Sequence, residues 1–330
     1  MMILACANNL SAQDLHFSQF MHSPLTTNPA NTGFIPDADF RIGANYRTQW
    51  SSVMTLPYKT FSVFADAQIM RDKLENGWLG LGGVLLNDVA GAGSLKSTKV
   101  YASIAYHQML GYSSLLSAGF NLGYAQKSID NSKLIFPDQF NGKFFENNIP
   151  TTAIIDRPSI NYFDLQAGVN YAYFPTENTY INAGYSIHHV NKPKESFLSV
   201  PGELSIVPLR HIAFLNGIIK VSERVILRPN IYYTNQASAS EIVGGALADY
   251  NINAETNNTQ FRAGLYYRHK DAIVPMAGFV VGSVAFTASQ DVTISGMKKF
   301  NHSRGATEFS IIKNGFYGQK KDRQTLCPTF

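Results

Sequence analysis

Segment 179–189 contains the residue types of a serine hydrolase: a nucleophile, Ser186, a base, His188, and an orienting amide, Asn182. On an extended strand all three side chains lie on one face, with Ser186 and His188 about 7 Å apart. That separation is too long for a direct hydrogen bond without help from a neighbouring group. Neither a phosphate-binding glycine loop nor a nucleophile elbow accompanies these residues. We therefore predict that the chain is not an enzyme.

The histidines offer little for metal binding. His188 and His189 are adjacent, so on a strand their side chains point to opposite faces and do not share an ion. His16 and His22 have no cysteine or paired carboxylate at ligand spacing. We interpret these histidines as structural, and we expect no metal and no other cofactor.

The composition of the 330-residue chain narrows its class. Apolar residues make up 45% of the chain, whereas charged residues make up only 15%, against about 25% in a typical soluble domain. The net charge of +4 is spread along the sequence, so we expect no nucleic-acid partner. The apolar content excludes a disordered chain. A single large all-β body is compatible with these numbers.

Period-two alternation of apolar and polar residues dominates the chain, and helical periodicity is nearly absent. In segment 115–125, for example, Phe120 lies on an apolar face and Asn121 on a polar one. Segment 78–87 is apolar on both faces, and 210–221 alternates ambiguously. The predicted strands, about fourteen in number, are 40–48, 59–69, 78–87, 97–108, 115–125, 162–173, 179–189, 210–221, 225–236, 240–251, 259–268, 273–281, 284–294 and 305–312.

Strand length favours a membrane barrel over a soluble β-sandwich. A tilted membrane strand needs about 9–11 residues, whereas strands of globular proteins usually have about 5–6, and the predicted segments match the longer class. Aromatic residues near strand ends are typical of girdles at the bilayer interfaces. They are Tyr46, Tyr58, Phe61, Tyr101, Tyr124, Tyr162, Tyr173, Tyr180, Tyr233 and Tyr267. The predicted fold is an all-β, transmembrane antiparallel β-barrel of about 14 strands, in contact with outer-membrane lipid.

One uncharged stretch, 272–290, has the length of a membrane helix. Pro275, Gly278 and several hydroxyl-bearing residues interrupt it, and most of its apolar residues are β-branched or aromatic. We interpret it as two strands around a turn at Gly282-Ser283.

The chain divides into four parts. Residues 1–12 form a short apolar run ending in small residues, typical of the end of an export signal. Because the run lacks a basic start, we interpret the signal as truncated; an ordinary N-terminal extension is the alternative. Residues 13–37 are predicted to be an N-terminal periplasmic segment, 38–312 the barrel, and 313–330 a periplasmic tail. Signal cleavage leaves Cys327 as the one cysteine, so we expect no internal disulfide.

Three regions are candidates for partner contact. Segment 13–37 either plugs the periplasmic mouth of the barrel or is a solvated lead-in. In loop 126–161 the aromatic residues indicate either self-packing or a partner, and we favour a partner. The candidate loop residues are Phe136, Asp138, Gln139, Phe140, Phe144 and Phe145. In the tail, Lys320, Lys321 and Arg323 either touch a periplasmic partner or belong to a loose terminus.

Charged and amide side chains recur on the faces predicted to line the lumen. They are Arg47, Asp66, Asp164, Gln166, Arg228, Arg262 and Arg268. These arginines either pair with the acidic and amide groups across the lumen or bind a substrate. We favour pairing, because unpaired buried charges are costly.

Seven stretches of the sequence match the motifs of a known family. They are Gln13-Asp14-Leu15-His16-Phe17-Ser18-Gln19-Phe20, Tyr46-Arg47-Thr48-Gln49-Trp50, Phe136-Pro137-Asp138-Gln139, His188-His189-Val190-Asn191-Lys192-Pro193, Gln290-Asp291-Val292, Glu308-Phe309-Ser310 and Cys327-Pro328-Thr329-Phe330. They resemble the PorP/SprF family of Bacteroidota outer-membrane proteins over nearly the whole chain after residue 12. Two departures are Gln290, where the family often has tyrosine, and Thr307-Glu308, which replaces the usual His-Glu.

The resemblance implies a component of the cell outer membrane associated with the type IX secretion system. It implies support for secretion or surface attachment of adhesin-type cargo with a particular C-terminal domain, and a part in gliding motility. It also implies contact with periplasmic ring or peptidoglycan-binding components. A passive or substrate-selective porin is the alternative function.

Overall fold

The computed structural model describes residues 14–318, except 37, 72, 92–94, 131–133, 135, 147, 152–157, 198–204 and 253–258. The predicted export signal, 1–12, lies outside the described residues. So do the tail residues Lys320, Lys321 and Arg323.

Fourteen antiparallel strands close into a barrel, in which the last strand pairs with the first. The strands are β1 (Phe40–Gln49), β2 (Tyr58–Ile69), β3 (Gly77–Ala90), β4 (Leu95–Met109), β5 (Ser114–Ser128), β6 (Ser159–Thr176), β7 (Thr179–His188), β8 (Arg210–Lys220), β9 (Val225–Gln236), β10 (Ala239–Asn251), β11 (Thr259–Arg268), β12 (Ala272–Val281), β13 (Val284–Thr293) and β14 (Arg304–Gly315). The predicted barrel fold is confirmed, and each predicted strand is present.

The strand bounds differ from the sequence-based ones by a few residues. The last strand was expected to end at 312 but continues to Gly315, so the tail starts three residues later than the predicted boundary. The stretch 272–290 forms β12 and β13 around the turn at Gly282-Ser283, which confirms its interpretation as two strands.

The outer surface of the barrel is apolar. Side chains alternate along each strand, so on β2 Phe61 and Val63 point outward and are exposed, whereas Asp66 points inward and is buried. Large exposed apolar side chains continue this band around the barrel. Examples are Ile42, Leu81, Val100, Leu122, Val169, Ile231, Phe261, Leu265 and Phe309. Charge is costly on a lipid-facing surface, which accounts for the low charged fraction of the chain.

The aromatic girdle is only partly as expected. Tyr46, Tyr124 and Tyr267 are among the outward-facing aromatic residues, but Tyr101, Tyr162 and Tyr180 are buried inside the barrel. The phase of the strand, and not nearness to its end, decides which face a side chain takes. The prediction that these three tyrosines face lipid was therefore wrong.

The two ends of the barrel differ in their connections. One end, here called the short-turn end, carries the start of β1, the end of β14 and turns such as 177–178 and 282–283. The opposite end, here called the long-loop end, carries the two longest connections, 129–158 and 189–209. The strict alternation of strand direction places both of these loops at the same end.

The described helices are short. They are 3₁₀ turns at Phe20–His22, Pro29–Asn31 and Pro137–Gln139, and the α-helices α1 (Pro24–Thr27) and α2 (Lys298–Asn301). None of the helices in the described part of the chain has the length and hydropathy of a membrane-spanning helix.

Residues 14–36, here called the lumenal segment, run through the inside of the barrel. Asp14 lies toward the long-loop end, where it contacts Lys99 of β4. Ile35 lies at the short-turn end, where its carbonyl accepts a hydrogen bond of 2.7 Å from Gln68 of β2. We expected this part of the chain in the periplasm, either as a plug of the periplasmic mouth of the barrel or as a solvated lead-in, and not along the whole lumen. It lies in the lumen because inner-wall groups satisfy its polar atoms and cover its apolar side chains.

A row of small residues, here called the small-residue row, forms the wall on which the lumenal segment packs. Its members are Gly80, Ala105, Gly119 and Gly168, which are register partners across β3, β4, β5 and β6. A Cβ added to Gly119 would lie 2.4 Å from the carbonyl carbon of Pro29. One added to Gly80 would lie 1.9 Å from the carbonyl oxygen of Thr32. The segment backbone therefore rests directly on the backbone of the strands.

Candidate functional site

Buried charges hold the lumenal segment near the long-loop end. This group, here called the Glu308 cluster, consists of Arg47, Glu241, Arg268, Asp291 and Glu308. Glu308 accepts the backbone N–H groups of Ser18 and Gln19 at 2.7 and 2.9 Å. Glu308 also pairs with Arg47. The Ser18 hydroxyl donates to Asp291 at 2.8 Å. The cluster thus binds both backbone and side-chain groups of the segment.

The members of the Glu308 cluster also bind one another. Arg268 lies 2.9 Å from Asp291 through Nη1 and 3.2 Å from Glu241 through Nε. Arg47 Nη2 lies 3.3 Å from Asp291. The Arg47 and Asp291 side chains are almost completely buried. Removing one partner of such a pair typically costs about 3–5 kcal/mol, because the other charge stays buried.

A second charged group, here called the Asp14 cluster, consists of Asp14, Lys99, Asp164, His189 and Arg210. His189 lies between two carboxylates, 2.8 Å from Asp164 and 3.3 Å from Asp14. Arg210 donates to the carbonyl of Leu15 at 2.9 Å. Burial opposes ionisation of Asp14, but the cations of the cluster outweigh it and hold the pKa of this carboxyl well below its usual range.

At the short-turn end a bidentate pair holds the tip of the segment. Arg41 binds Asp66 through Nε at 3.0 Å and Nη2 at 2.8 Å. The same carboxylate accepts the backbone N–H of Gly33 at 2.8 Å. Gly33 has φ +68, a conformation that suits glycine. The carboxylate of Asp66 therefore links β1, β2 and the segment.

Asp249 of β10 binds two arginines on neighbouring strands. Its carboxylate lies 2.7 Å from Nε of Arg228 and 2.6 Å from Nε of Arg262. Arg262 Nη1 also lies 3.3 Å from Nε2 of His22. Because a guanidinium can only donate, Nε2 of His22 accepts this hydrogen bond, and the imidazole is neutral. Two guanidinium groups therefore share one carboxylate.

Apolar side chains fix the lumenal segment along its length. Phe17 and Leu25 pack with Phe64 and Tyr101. Phe34 occupies a second cluster, with Trp78; Phe20 lies in a third, among residues of β8–β12. Burying one such side chain contributes roughly 1.5–3 kcal/mol. Apolar packing therefore holds the middle of the lumenal segment, and charged groups hold its two ends.

The lumenal segment does not fill the lumen completely. A cavity of about 270 Å³ remains between the segment and the wall formed mainly by β7–β11. Its lining includes Asn182, Asn216 and Arg228, together with the apolar side chains of Phe214 and Leu247. In the described part of the chain no carboxylate lines this cavity.

The predicted lumen residues lie on the inner face, but the pairing among them differs from our expectation. They are Arg47, Asp66, Asp164, Gln166, Arg228, Arg262 and Arg268. The buried acids that bind the four arginines are Glu241, Asp249, Asp291 and Glu308, not the predicted partners, and the half-exposed Asp271 also pairs with Arg268. Asp66 binds Arg41, and Asp164 binds His189. Period-two phase could have found the missed acids, since Asp291 follows Thr287 and Ser289 on the inward face.

The hydrolase residues lie closer together than the strand spacing predicts. Ser186 Oγ and His188 Nε2 are 3.4 Å apart, so our expected separation of about 7 Å was wrong for these side-chain atoms. The Ser186 hydroxyl nevertheless donates to the carbonyl of Thr27 at 2.8 Å, and Ser186 is only 1% exposed beneath the segment. Asn182 is six residues before His188, about 20 Å along the strand, and does not orient the imidazole.

We predicted that the two adjacent histidines point to opposite faces of the strand, and this prediction was wrong. Both are buried inside the barrel, because β7 ends at His188 and His189 has φ +60, which breaks the alternation. Among the described residues no group of three His, Cys, Asp or Glu side chains is arranged to hold a metal ion.

The loop between β5 and β6 presents aromatic residues to solvent. Phe140 and Phe145 form an isolated β-bridge, with ring centroids 5.0 Å apart, and both are about half exposed. Phe144 is 68% exposed. Self-packing therefore covers these three rings only partly.

Other predicted contact residues of this loop serve its internal structure. Gln139 is buried, and its side chain accepts from the backbone N–H of Phe136 and donates to the carbonyl of Ile149. Asp138 accepts from the Thr151 hydroxyl at 2.9 Å. These residues fix the loop around the exposed rings.

Comparison with protein families identifies the chain. The profile of the "Type IX secretion system membrane protein PorP/SprF" matches residues 9–312. The chain belongs to the PorP/SprF family. With its closed barrel and apolar outer face, this PorP/SprF protein is an outer-membrane component of the type IX secretion system. No curated protein matches it in sequence.

Solved structures resemble this PorP/SprF protein in fold. The toluene transporter TbuX of Ralstonia pickettii is 11% identical, with a TM-score of 0.50 over 89% of this chain and 94% of that one. The toluene transporter TodX of Pseudomonas putida is 11% identical, with a TM-score of 0.51 over 88% and 92%. A FadL homologue of Pseudomonas aeruginosa is 10% identical, with a TM-score of 0.52 over 89% and 94%. Such low identities show a shared barrel fold alone.

Proposed function

We propose that this PorP/SprF protein supports secretion or surface attachment of adhesin-type cargo, and with it gliding, by binding other proteins rather than by conducting solutes or by catalysis. The presence of the lumenal segment inside the barrel carries this proposal. A porin needs a continuous wet channel, whereas here residues 14–36 occupy the lumen and buried ion pairs hold them at both ends. The burial of Ser186 beneath this segment argues against hydrolysis of an external substrate.

The two ends of the barrel have different roles in this proposal. The long-loop end faces the cell surface, because outer-membrane barrels have short turns on the periplasmic side and longer loops outside. Phe140, Phe144 and Phe145 contact the cargo's C-terminal domain there, since exposed aromatic rings are typical of binding surfaces. The basic tail beyond the described residues binds periplasmic ring or peptidoglycan-binding components from the short-turn end.

Deletion of the gene tests the role in secretion. We expect adhesins to be trapped in the cell or released into the medium, with uptake of small solutes unchanged. Altered solute uptake with normal surface adhesins would instead establish the porin alternative.

The proposed docking surface has its own test. Replacing Phe140, Phe144 and Phe145 together by serine removes the exposed rings and leaves the buried loop residues in place. We expect several-fold less cargo to co-purify with the variant barrel from detergent-solubilised membranes. The control is Tyr112→Ser, which removes a fully exposed ring at the opposite end. Equal recovery of cargo with both variants would place the contact elsewhere.

A further inference from the structure

The remaining cavity has the character of a built binding site. Across β7, β8 and β9, Asn182, Asn216 and Asn230 are successive register partners, and all three line the cavity. Asn230 is engaged, because its amide donates to the hydroxyl of Tyr266 at 2.7 Å. Asn182 and Asn216 differ: within the described residues, the side-chain oxygen of each is buried and has no hydrogen-bond partner.

The side-chain oxygens of Asn182 and Asn216, unpartnered in the described part of the chain, indicate a ligand. Asn182 is only 4% exposed, and its side chain lines the cavity. Leaving a buried polar group unsatisfied costs about 1–3 kcal/mol, and buried polar atoms in native proteins are nearly always partnered. Each carboxamide both donates and accepts hydrogen bonds. An amide group of a ligand complements a carboxamide in both respects.

The charged groups around the cavity favour a ligand with one negative charge. Arg228 and Arg262 share the single carboxylate of Asp249, and the neighbouring His22 is neutral. The pair Arg41–Asp66 is balanced. One positive charge therefore remains uncompensated. Arg228 binds Asp249 through Nε. Among the described residues its Nη groups bind no acid, so they are free to bind a carboxylate of a ligand.

Volume and wall chemistry limit the size of the ligand. Drug-sized ligands occupy pockets of roughly 300–1,000 Å³, so a cavity of about 270 Å³ takes a small molecule or the end of a chain. Phe214 and Leu247 provide an apolar wall for a short side chain. Pro36 and Asn314 are also part of the lining, which places the entrance at the short-turn end.

We propose that this cavity binds a small carboxylate that carries a neighbouring amide, with Arg228 pairing with the carboxylate and Asn182 and Asn216 binding the amide. Two sources share this chemistry: a free N-acylated amino acid and the carboxyl end of a peptide. The site is separate from the aromatic loop, so it holds or fails independently of the proposed cargo contact.

Calorimetric titration of the full-length barrel in detergent tests the site. The probe is N-acetyl-L-alanine. Three comparison compounds each lack at least one feature of the probe. The primary amide of N-acetyl-L-alanine lacks the negative charge, acetate lacks the amide, and inorganic phosphate lacks both the amide and the carboxylate geometry. We expect saturable binding of N-acetyl-L-alanine and at least tenfold weaker binding of the other three compounds. Absence of saturable binding of the probe at millimolar concentration, or equal binding of its uncharged amide, would overturn the proposal.

Variants tie the binding to the cavity. Arg228→Gln leaves the Arg262–Asp249 pair in place and is expected to weaken probe binding at least tenfold. The matched control is Arg71→Gln, which removes an arginine of the turn at the same barrel end and outside the cavity. Asn216→Leu is a second cavity variant in case the first does not fold, with folding checked by heat-dependent gel mobility. Equal affinity in a folded cavity variant and the control would rule out this site.

Peptides distinguish the two sources. An eight-residue alanine-rich peptide with a free carboxyl end is compared with its C-terminally amidated form. Binding of the free-acid peptide alone, with the affinity of the small probe, supports a peptide terminus as the ligand. Binding of N-acetyl-L-alanine without either peptide supports a free small molecule. Equal binding of both peptides would contradict a carboxylate site.

Discussion

The two sides of the lumen differ in how closely they pack against the lumenal segment. On β3–β6 the small-residue row lets the backbone around Asn28–Gly33 rest directly on the strands. On β7–β11 asparagine and arginine side chains stand off from the segment and leave a cavity. Both walls have the same strand pairing and the same alternation. The size of the inward side chains therefore decides where the backbone of the segment rests on the strands and where space remains for another molecule.

The largest effect is expected from Gly119→Val on the close-packed wall. Its side chain would meet the backbone at Pro29, which cannot move as a flexible side chain can. We expect the segment to leave the lumen, with a loss of stability above the ~4 kcal/mol at which single substitutions become exceptional.

Maleimide labelling of a Ser23→Cys variant, with Cys6 and Cys327 replaced by serine, measures this displacement. Ser23 is buried in the intact structure, so labelling should rise steeply in the Gly119→Val background. Asn216→Val is the control on the opposite wall and should leave the cysteine protected. A protected cysteine in both variants would show that the small-residue row does not hold the segment.

Glu308→Gln is expected to have the next largest effect. It removes a buried negative charge beside Arg47 and weakens the acceptor for Ser18 and Gln19, for a cost of about 3–5 kcal/mol. The unfolding temperature, followed by heat-dependent gel mobility, should fall clearly. Asp271→Asn is the control, because this half-exposed partner of Arg268 contributes only about 0–1 kcal/mol. Similar shifts in the two variants would mean that burial does not strengthen the Glu308 cluster.

A moderate effect is expected from Asn28→Ala. The Asn28 amide donates to the carbonyl of Val169 at 2.9 Å and accepts from the backbone N–H of Ala30 at 2.8 Å. Losing both bonds in a buried site should cost about 1–3 kcal/mol. In Thr26→Ala, the lost hydroxyl bonds, among the described residues, to the carbonyl of Ser23 within the segment itself, so the change should be smaller. The same gel assay ranks the two, and the reverse order would contradict the assignment of Asn28 as a contact to the wall.

The smallest effect is expected from Asn216→Leu on the cavity wall. Its buried side-chain oxygen has no partner among the described residues, so replacing the amide by an apolar group should be neutral or slightly stabilising. The unfolding temperature is measured without added ligand. A loss as large as that of Asn28→Ala would show that Asn216 supports the fold, and that the two walls do not differ as described.

The strands could be read from the sequence because their signal is local. Alternation along about ten residues, such as Phe61 to Ile69, reflects an apolar lipid on one side and a polar lumen on the other. The course of the lumenal segment carried no such local signal. Ser18 and Glu308 are 290 residues apart in the chain, and only barrel closure makes them neighbours. The positions of the inward-facing acids could be read from the period-two spacing of the sequence. The sequence did not show which arginine each acid binds.

Composition and periodicity thus specified a fourteen-stranded cylinder with a lipid-facing surface, since each strand meets the same two environments wherever it sits. The interior depended on which strands meet across the lumen. Gly80, Gly119 and Gly168 look like weak points of separate strands, yet at one level of the closed barrel they form the surface that receives the segment. The cavity beside Asn182 arises in the same way, from side-chain volumes facing each other across a closed wall.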